Sequence, residues 1–317
     1  MATNGTPLVS VLMPAFNASE FIKKAIRSIL NQDYENWELL VLDDASTDDT
    51  SALIQSFSEP RIRLFRHTEN QGYLRSCNEL FELANGEFIT FLDADDTCTN
   101  DRISKCTQAF EERKALDFLT TDYTRIDESD SLLIQSSHQI DYALYATDPT
   151  YQPIICCATV FLRSSLLEKV GGYHPFFNEI GGEDYHWLFR LSRQGNGVHL
   201  NECLYQYRTH SAQSHHLNEN PLKYFFSDID REIRTELIRS SIDLLTTDDT
   251  LKTRWLEQIN SSPSELIFRK ASSMLNRNQF KKSFSLGVSA LSKAPFSFTS
   301  WQRFSYLTYS ILMRQRK

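Results

Sequence analysis

Three carboxylates directly follow one apolar segment of the chain. Asp93, Asp95 and Asp96 come after the run 88–92, and only Ala94 separates the first two. Ligands of open α/β sheets bind at the carboxyl ends of strands. Mg²⁺ and Mn²⁺ prefer oxygen ligands and keep coordination positions for phosphate oxygens. The spacing therefore predicts a site where Mn²⁺ or Mg²⁺ holds a diphosphate, although the same acids are also compatible with a solvated loop.

A second acidic pair, Asp43 and Asp44, follows the apolar run 37–42. A carboxylate at this position can accept a hydrogen bond from the ring N–H of a base or from a ribose hydroxyl. Both acids can instead cap a helix that starts near Thr47. Both interpretations, and the choice between Asp43 and Asp44, stay open at this point.

Asp184 is the candidate for proton transfer. It follows Gly181 and Gly182, and glycines allow a loop to approach a ligand closely. The pKa of an isolated aspartic acid is about 3.9, so a useful base needs burial or nearby acids to raise it. Glu183 and Asp95 can supply that effect. Taken alone, Glu183 and Asp184 are also typical of an acidic helix start.

Three basic residues are candidates for binding phosphate or metal. Arg208 and His210 lie in the segment Tyr-Arg-Thr-His, and Arg75 follows the turn Asn-Gln-Gly. Arg75 can equally lie on a solvated helix face, and His210 can be structural. His215 and His216 follow in a polar segment that could form a lid over a ligand.

Strand-like and helix-like patterns alternate through the first 120 or so residues, which predicts a mostly parallel sheet with helices on both faces. Beyond about residue 215 the pattern is helical. We therefore predict an α/β catalytic domain over 1–215 and a helical region over 216–317. The individual predictions, in chain order, are strands at 9–13, 37–42, 62–65, 88–92, 117–121, 155–162 and 204–209, and helices from 20, from 47 or 48, around 74–84, from about 101, and at 183–194, 222–245, 251–259, 265–275, 280–291 and 301–313.

The charge is unevenly distributed. Ten of the 33 Lys and Arg residues lie in 266–317, where there is no Asp or Glu, so the first 265 residues carry a net charge of −18. An acidic front argues against nucleic-acid binding. The basic helices, rich in aromatics, predict peripheral membrane contact, or packing on the acidic domain or a second copy. The sequence offers neither a signal peptide nor an apolar run of about 18–20 residues, so we expect a cytoplasmic protein. The six cysteines have no metal-ligand spacing and indicate free thiols.

In combination, the motifs resemble the family 2 glycosyltransferases, which are inverting, nucleotide-sugar-dependent enzymes of the GT-A fold. The resemblance extends over about residues 7–211. The matching segments are Val-Ser-Val-Leu-Met-Pro-Ala-Phe-Asn from Val9, Val-Leu-Asp-Asp-Ala-Ser-Thr-Asp-Asp-Thr from Val41, Asn-Gln-Gly from Asn70, Asn-Gly-Glu-Phe-Ile-Thr-Phe-Leu-Asp-Ala-Asp-Asp from Asn85, Gly-Gly-Glu-Asp from Gly181 and Tyr-Arg-Thr-His from Tyr207.

The resemblance implies a role for each candidate. Asp95 would bind the metal directly, with Asp93 as a ligand or an orienting group and His210 reaching the metal as the site closes. The remaining donor-site candidates are Pro14, Ala15, Phe16, Asp44, Arg75, Asp93, Ala94 and Arg208. Asp184 would be the catalytic base.

The implied reaction moves one sugar from a nucleotide-diphosphate sugar, with UDP favoured, to a saccharide hydroxyl. The acceptor would be a surface polysaccharide precursor, either free or linked to lipid, at the inner face of the cell membrane. Two alternatives stay open: nucleotidyl transfer, for which 14–17 lacks a Gly-rich phosphate loop, and a non-catalytic nucleotide-sugar-binding or scaffold protein.

Overall fold

The computed structural model describes residues 6–178, 180–210, 220–276, 280–293 and 298–314. Within these ranges nine strands form one sheet. The strands are β1 (Val9–Ala15), β2 (Trp37–Asp43), β3 (Ile62–Arg66), β4 (Phe88–Phe91), β5 (Thr97–Cys98), β6 (Phe118–Ile126), β7 (Leu132–Gln135), β8 (Phe161–Arg163) and β9 (Gly197–Arg208). The predicted segment 204–209 is thus only the end of the longer strand β9.

The sheet has a parallel half and a mixed half. Its order is β3-β2-β1-β4-β8-β6-β9-β5, and β7 pairs with β6 alone. The first four of these strands are parallel to one another, so β2, β1 and β4 all end at the same edge. β8 is antiparallel to both β4 and β6, whereas β6 and β9 are parallel. The mostly parallel sheet predicted from the sequence is confirmed, and its edge collects the residues that follow β1, β2 and β4.

Apolar packing explains these strands. Every residue of β1 and β4 is buried, as expected for strands covered on both faces. The ring of Phe88 lies 4.6 Å from that of Phe110 and 5.6 Å from that of Phe161, measured between centroids. These contacts fix β4, and with it the loop that carries the three acids.

Most of the predicted helices are present, and some of them start at a different residue. They are α1 (Ile22–Leu30), α2 (Thr50–Gln55), α3 (Tyr73–Leu83), α4 (Arg102–Glu112), α5 (Tyr142–Thr147), α6 (Ser164–Val170), α7 (Glu183–Gln194), α8 (Phe226–Ser240), α9 (Leu244–Thr247), α10 (Leu251–Ser261), α11 (Pro263–Asn276), α12 (Phe280–Lys293) and α13 (Phe298–Arg314). The helix predicted from residue 20 begins at Ile22 instead, and its N-cap residue Phe21 makes no side-chain cap bond.

Two predictions of continuous elements are also wrong. Residues 155–162 do not form one strand: Cys157–Thr159 is a short 3-10 turn and only the end of the segment enters β8. The helix predicted over 222–245 is divided, because Ser241 adopts a left-handed conformation with φ of 56° between α8 and α9. The first interruption occurs inside an apolar run, where the pattern alone does not reveal a break.

The chain divides into two compact units. The first comprises 1–178 and 183–218 and contains the sheet, and the second comprises 179–182 and 219–317. The second unit is helical, as predicted, and its α11, α12 and α13 enclose a small core of Ala271, Leu307 and Ile311. Over the described part of the chain, none of the helices combines the length and the hydropathy needed to cross a membrane.

Candidate active site

The three acids after β4 have different surroundings. Asp96 is 1% exposed, whereas Asp93 and Asp95 are partly exposed. The two carboxylate oxygens of Asp96 accept hydrogen bonds from the backbone N–H of Arg208 at 2.6 Å and from the hydroxyl of Tyr205 at 2.7 Å. Asp96 therefore anchors the loop to β9, and Asp93 and Asp95 are the acids that can meet a ligand.

Asp95 and His210 form a pair suited to a divalent cation. Oδ2 of Asp95 lies 2.8 Å from Nε2 of His210. Neighbouring ligands of an octahedral ion with bonds of about 2.0–2.1 Å are separated by about 2.9 Å. The pair can therefore serve as two adjacent ligands of one ion with little movement. His210 is held in place by the ring of Phe21, whose centroid lies 4.8 Å from that of the imidazole.

Asp93 does not complete a three-residue metal set with this pair. Among the residues that the structure describes, the one group of three His, Cys, Asp or Glu ligand atoms within 4.8 Å of one another lies elsewhere, at Asp122, His138 and His199. In this arrangement Asp93 accepts a hydrogen bond from the hydroxyl of Tyr73 at 3.3 Å. Its position is compatible with the orienting role, and its direct ligation stays a prediction.

The electrostatics join acids from distant parts of the chain. Burial, together with the charges of Asp95 and Asp184, raises the pKa of Asp93 to about 7, against a weaker lowering effect of the Tyr73 hydrogen bond. A bound cation would favour the ionised form. Because the charge of Asp184 contributes to the raised pKa of Asp93, Asp184 lies within electrostatic range of the acids after β4.

Asp184 lies in the first turn of α7, which has the predicted bounds. Gly181 and Gly182 before it have φ of 81° and 87°, a conformation that other residues rarely adopt, so both glycines are required by the backbone. Burial and the neighbouring Asp184 raise the pKa of Glu183 to about 8. Burial and Asp184 also raise the pKa of the Cys157 thiol. The surroundings of Asp184 thus disfavour negative charge.

Asp44 is buried and has internal partners. Its oxygens accept hydrogen bonds from the backbone N–H groups of Gln71 and Gly72, both at 2.8 Å, and Oδ1 lies 2.6 Å from Nδ1 of His67. Asp43 is also buried, and its Oδ1 accepts from the backbone N–H of Ser46. Neither caps α2, whose N-cap is Asp49, so the capping alternative is wrong. Base binding by Asp44 stays a prediction.

The residues after β1 line the same edge. Pro14 and Ala15 are buried within the strand, and Phe16 is 48% exposed directly after it. Phe16 therefore does not belong to the core, and its ring is accessible to solvent. Ala94 is buried between the two exposed acids, so only its backbone can take part in binding.

The two candidate arginines differ. Arg208 is fully buried: its Nε donates to the backbone oxygen of Asp95 at 2.7 Å, and Nη1 lies 2.6 Å from Oδ1 of Asp130. The guanidinium thus supports the Asp95 loop from within. Arg75 has a side chain that is 65% exposed and pairs with Glu79 one turn along α3, as expected for a solvated helix face. Phosphate binding by either stays a prediction, and His215 and His216 lie outside the described residues.

Sequence reasoning missed three supporting residues. Tyr205 bonds Asp96 and accepts from the backbone N–H of Asp93, Tyr73 contacts Asp93, and the thiol of Cys157 lies beside Asp184. A tyrosine inside a predicted strand looks like an ordinary core residue. The one available signal was that Tyr205 and Arg208 lie close together on the same predicted strand.

Comparisons with known proteins show which proteins this chain resembles. The family described as Glycosyl transferase family 2 matches residues 10–171, about half of the chain. TuaG of Bacillus subtilis, named as a teichuronic acid biosynthesis glycosyltransferase, is 31% identical over 208 residues, covering 65% of this chain and 81% of TuaG. WfaP of Escherichia coli, a UDP-Glc:alpha-D-GlcNAc-diphosphoundecaprenol beta-1,3-glucosyltransferase, is 29% identical over 206 residues, covering 65% of this chain and 78% of WfaP.

A solved structure shares the fold. The mannosyltransferase PcManGT of Pyrobaculum calidifontis, in complex with GDP-Man and Mn²⁺, superposes with a TM-score of 0.55 over 98% of this chain and 87% of its own. Its sequence identity is 15%, so this likeness shows the fold alone.

Proposed function

Because the chain belongs to glycosyl transferase family 2, we propose that it is a metal-dependent, inverting enzyme that moves a single sugar from a nucleotide-diphosphate sugar to a saccharide hydroxyl. The observation that carries this proposal is the convergence of acids from two distant segments. Asp184, at the start of α7, is near enough to the acids after β4 to raise the pKa of Asp93.

The reaction assigns different tasks to these acids. Asp95 and His210 would hold a divalent cation, which supplies Lewis-acid stabilisation of the departing diphosphate when bound. Asp184 takes the proton of the acceptor hydroxyl while its oxygen attacks the anomeric carbon. The bond between that carbon and the diphosphate oxygen breaks, and the diphosphate leaves with the electron pair. Attack opposite the leaving group inverts the configuration.

The surroundings of Asp184 fit a base. Burial raises the pKa of both of its neighbours, Glu183 and Cys157. The exposed ring of Phe16, directly after β1, would contact the base of a donor. We favour UDP because WfaP, by its name, uses UDP-Glc, and we retain GDP as the second choice because PcManGT was solved with GDP-Man.

We predict that Asp184→Asn leaves donor and metal binding near normal but lowers turnover by about 100-fold or more, the usual effect of losing a general base. The measurement is single-turnover transfer from a panel of UDP-, GDP- and dTDP-sugars with Mn²⁺, with NMR of the product anomer. Glu168→Gln, an exposed acid on α6, is the matched control. A retained configuration, or full activity of Asp184→Asn, would overturn the mechanism. Donor binding without transfer or hydrolysis would favour the alternative of a non-catalytic nucleotide-sugar-binding protein.

We further propose that the acceptor is a lipid-linked precursor of a bacterial surface polysaccharide, reached at the inner face of the cell membrane. The names of TuaG and WfaP support this acceptor class. In α13, Trp301, Tyr306 and Tyr309 are 50%, 70% and 61% exposed. Exposed aromatics on basic helices suit the interface of an anionic bilayer.

We predict that the full chain floats with vesicles containing anionic lipid at low salt and not with neutral vesicles. Each Lys or Arg near such a surface contributes about 1 kcal/mol. Replacing the exposed Lys281 and Lys282 of α12 by Glu should reduce flotation, whereas Lys23→Glu and Lys114→Glu, exposed in the sheet-containing unit, should not. If the wild-type chain stays unbound, the alternative is that the basic helices pack on the acidic domain or on a second copy, which sedimentation would detect.

A further inference from the structure

A polar cluster that the proposed reaction does not use lies in the mixed half of the sheet. It consists of Asp122 on β6, His199 on β9 and His138 after β7. One ligand atom from each lies within 4.8 Å of the others. Asp122 and His199 are nearly buried, with side chains 3% and 4% exposed, and His138 is 20% exposed.

The strand register explains why these residues meet. His199 is the register partner of Thr120 across the parallel pair β6 and β9. Asp122 lies two positions beyond Thr120 on the same strand, where side chains return to the same face. The register is irregular on both sides of Asp122, and such bulges often redirect a side chain. His138 joins because its backbone N–H and its Nδ1 both lie within hydrogen-bond reach of Asp122 Oδ1, at 3.1 and 2.9 Å.

His199 presents an unsatisfied nitrogen to this cluster. Its Nδ1 lies 2.8 Å from the hydroxyl oxygen of Thr120, which also bonds the hydroxyl of Tyr142. Its Nε2 is buried and makes no hydrogen bond, and its nearest acceptor, Asp122 Oδ1, is 3.5 Å away. A buried polar atom without a partner is costly. If Nδ1 carries the proton toward Thr120, Nε2 has a free lone pair, as a metal-bound histidine requires.

The geometry points to a binding site for a divalent transition-metal ion of the Zn²⁺ class, with Asp122, Nδ1 of His138 and Nε2 of His199 as protein ligands and one position left for water. Tetrahedral Zn²⁺ with bonds of about 2.0–2.1 Å separates its ligand atoms by about 3.3 Å. The observed separations from Asp122 Oδ1 of 2.9 Å to His138 and 3.5 Å to His199 lie on either side of this value. An ion there would join β6, β9 and the segment after β7, independently of sugar transfer.

Zn²⁺ titration of the chelator-treated full chain tests this site, with bound metal measured by elemental analysis and the melting temperature as a second readout. We expect one Zn²⁺ per chain and a melting temperature that rises with Zn²⁺ concentration. His199→Gln and His138→Gln should each lose that equivalent. Asp95→Ala, which removes the other candidate cation site, should keep it.

Thr120→Val covers the case in which a ligand variant fails to fold. It keeps all three ligands and nearly the same volume but removes the group that orients His199, so it should weaken Zn²⁺ binding by about 10–100-fold. The proposal is overturned if the wild-type chain binds no Zn²⁺. It is also overturned if Thr120→Val and the foldable histidine variants bind Zn²⁺ as tightly as the wild type.

Discussion

Two strand ends of the same sheet carry adjacent acids and use them differently. After β2, Asp43 and Asp44 are both buried, and the carboxylate of Asp44 is occupied by two backbone N–H groups and His67. After β4, only Asp96 has a hydrogen-bond donor at each carboxylate oxygen, and Asp95 remains partly exposed beside His210. Position at a strand's carboxyl end therefore does not identify a ligand-binding acid. What decides is whether backbone donors already occupy its oxygens.

The largest expected effect is at the end of β4, where Asp95 is partly exposed. We predict that Asp95→Ala abolishes transfer and weakens diphosphate binding in the presence of metal, because the donor's charge loses the cation that offsets it. Transfer assays, with and without EDTA, and titration of the nucleotide diphosphate with Mn²⁺ measure this. Circular dichroism should show a folded chain. Normal turnover of Asp95→Ala, or full wild-type activity in EDTA, would remove the metal assignment.

At the end of β2, where Asp44 is buried, we expect a substitution to change the stability of the fold instead. We predict that Asp44→Asn lowers the free energy of unfolding by about 1–3 kcal/mol, because an amide cannot accept from Gln71, Gly72 and His67 at once and leaves a buried donor unpaired. Denaturant unfolding measures the change.

A matched control and a kinetic readout sharpen the comparison. Asp49→Asn changes an exposed acid that makes no cap bond, and it should stay within about 0.5 kcal/mol of wild type. If Asp44→Asn instead raises the KM for the donor and leaves stability unchanged, Asp44 is a ligand group. The contrast between the two strand ends would then be wrong.

The same contrast explains what the sequence could predict. Apolar periodicity located β1, β2, β4 and α7, because burial on one or both faces leaves a regular pattern. The order of the motifs identified Asp95, Asp184 and His210 as candidates. Most partners of Asp96 and Asp44 could not be found in this way, because three of them are backbone N–H groups, of residues 208, 71 and 72, which have no sequence signature. The cluster of Asp122, His138 and His199 was missed for a related reason, since its register depends on bulges in β6 and β9.

The smallest expected effect concerns His67, which lies between Asp44 and Glu79. Its Nδ1 is 2.6 Å from Asp44 and its Nε2 is 2.8 Å from Glu79. Burial opposes the charged ring, but the hydrogen bonds to Glu79 and Asp44 outweigh it and raise the pKa of His67 above 6.5. A raised pKa in the folded state means that the stabilisation is fully present below about pH 6.5. It is lost as the pH rises through the folded-state pKa.

We therefore predict that His67→Gln lowers the melting temperature more at pH 6 than at pH 8.5. The difference should be about 2–4 °C, the shift that about 1 kcal/mol produces in a domain of this size. Glu79→Gln removes one of the two partners that raise the pKa of His67. The pH dependence of the melting temperature should therefore become smaller, while Asp44 keeps its bond to the ring. If the loss of melting temperature in His67→Gln stays constant or grows between pH 6 and pH 8.5, the ring is neutral in the folded chain. Asp44 would then be held by its backbone donors alone, and the buried strand end would owe its stability to the loop rather than to an ion pair.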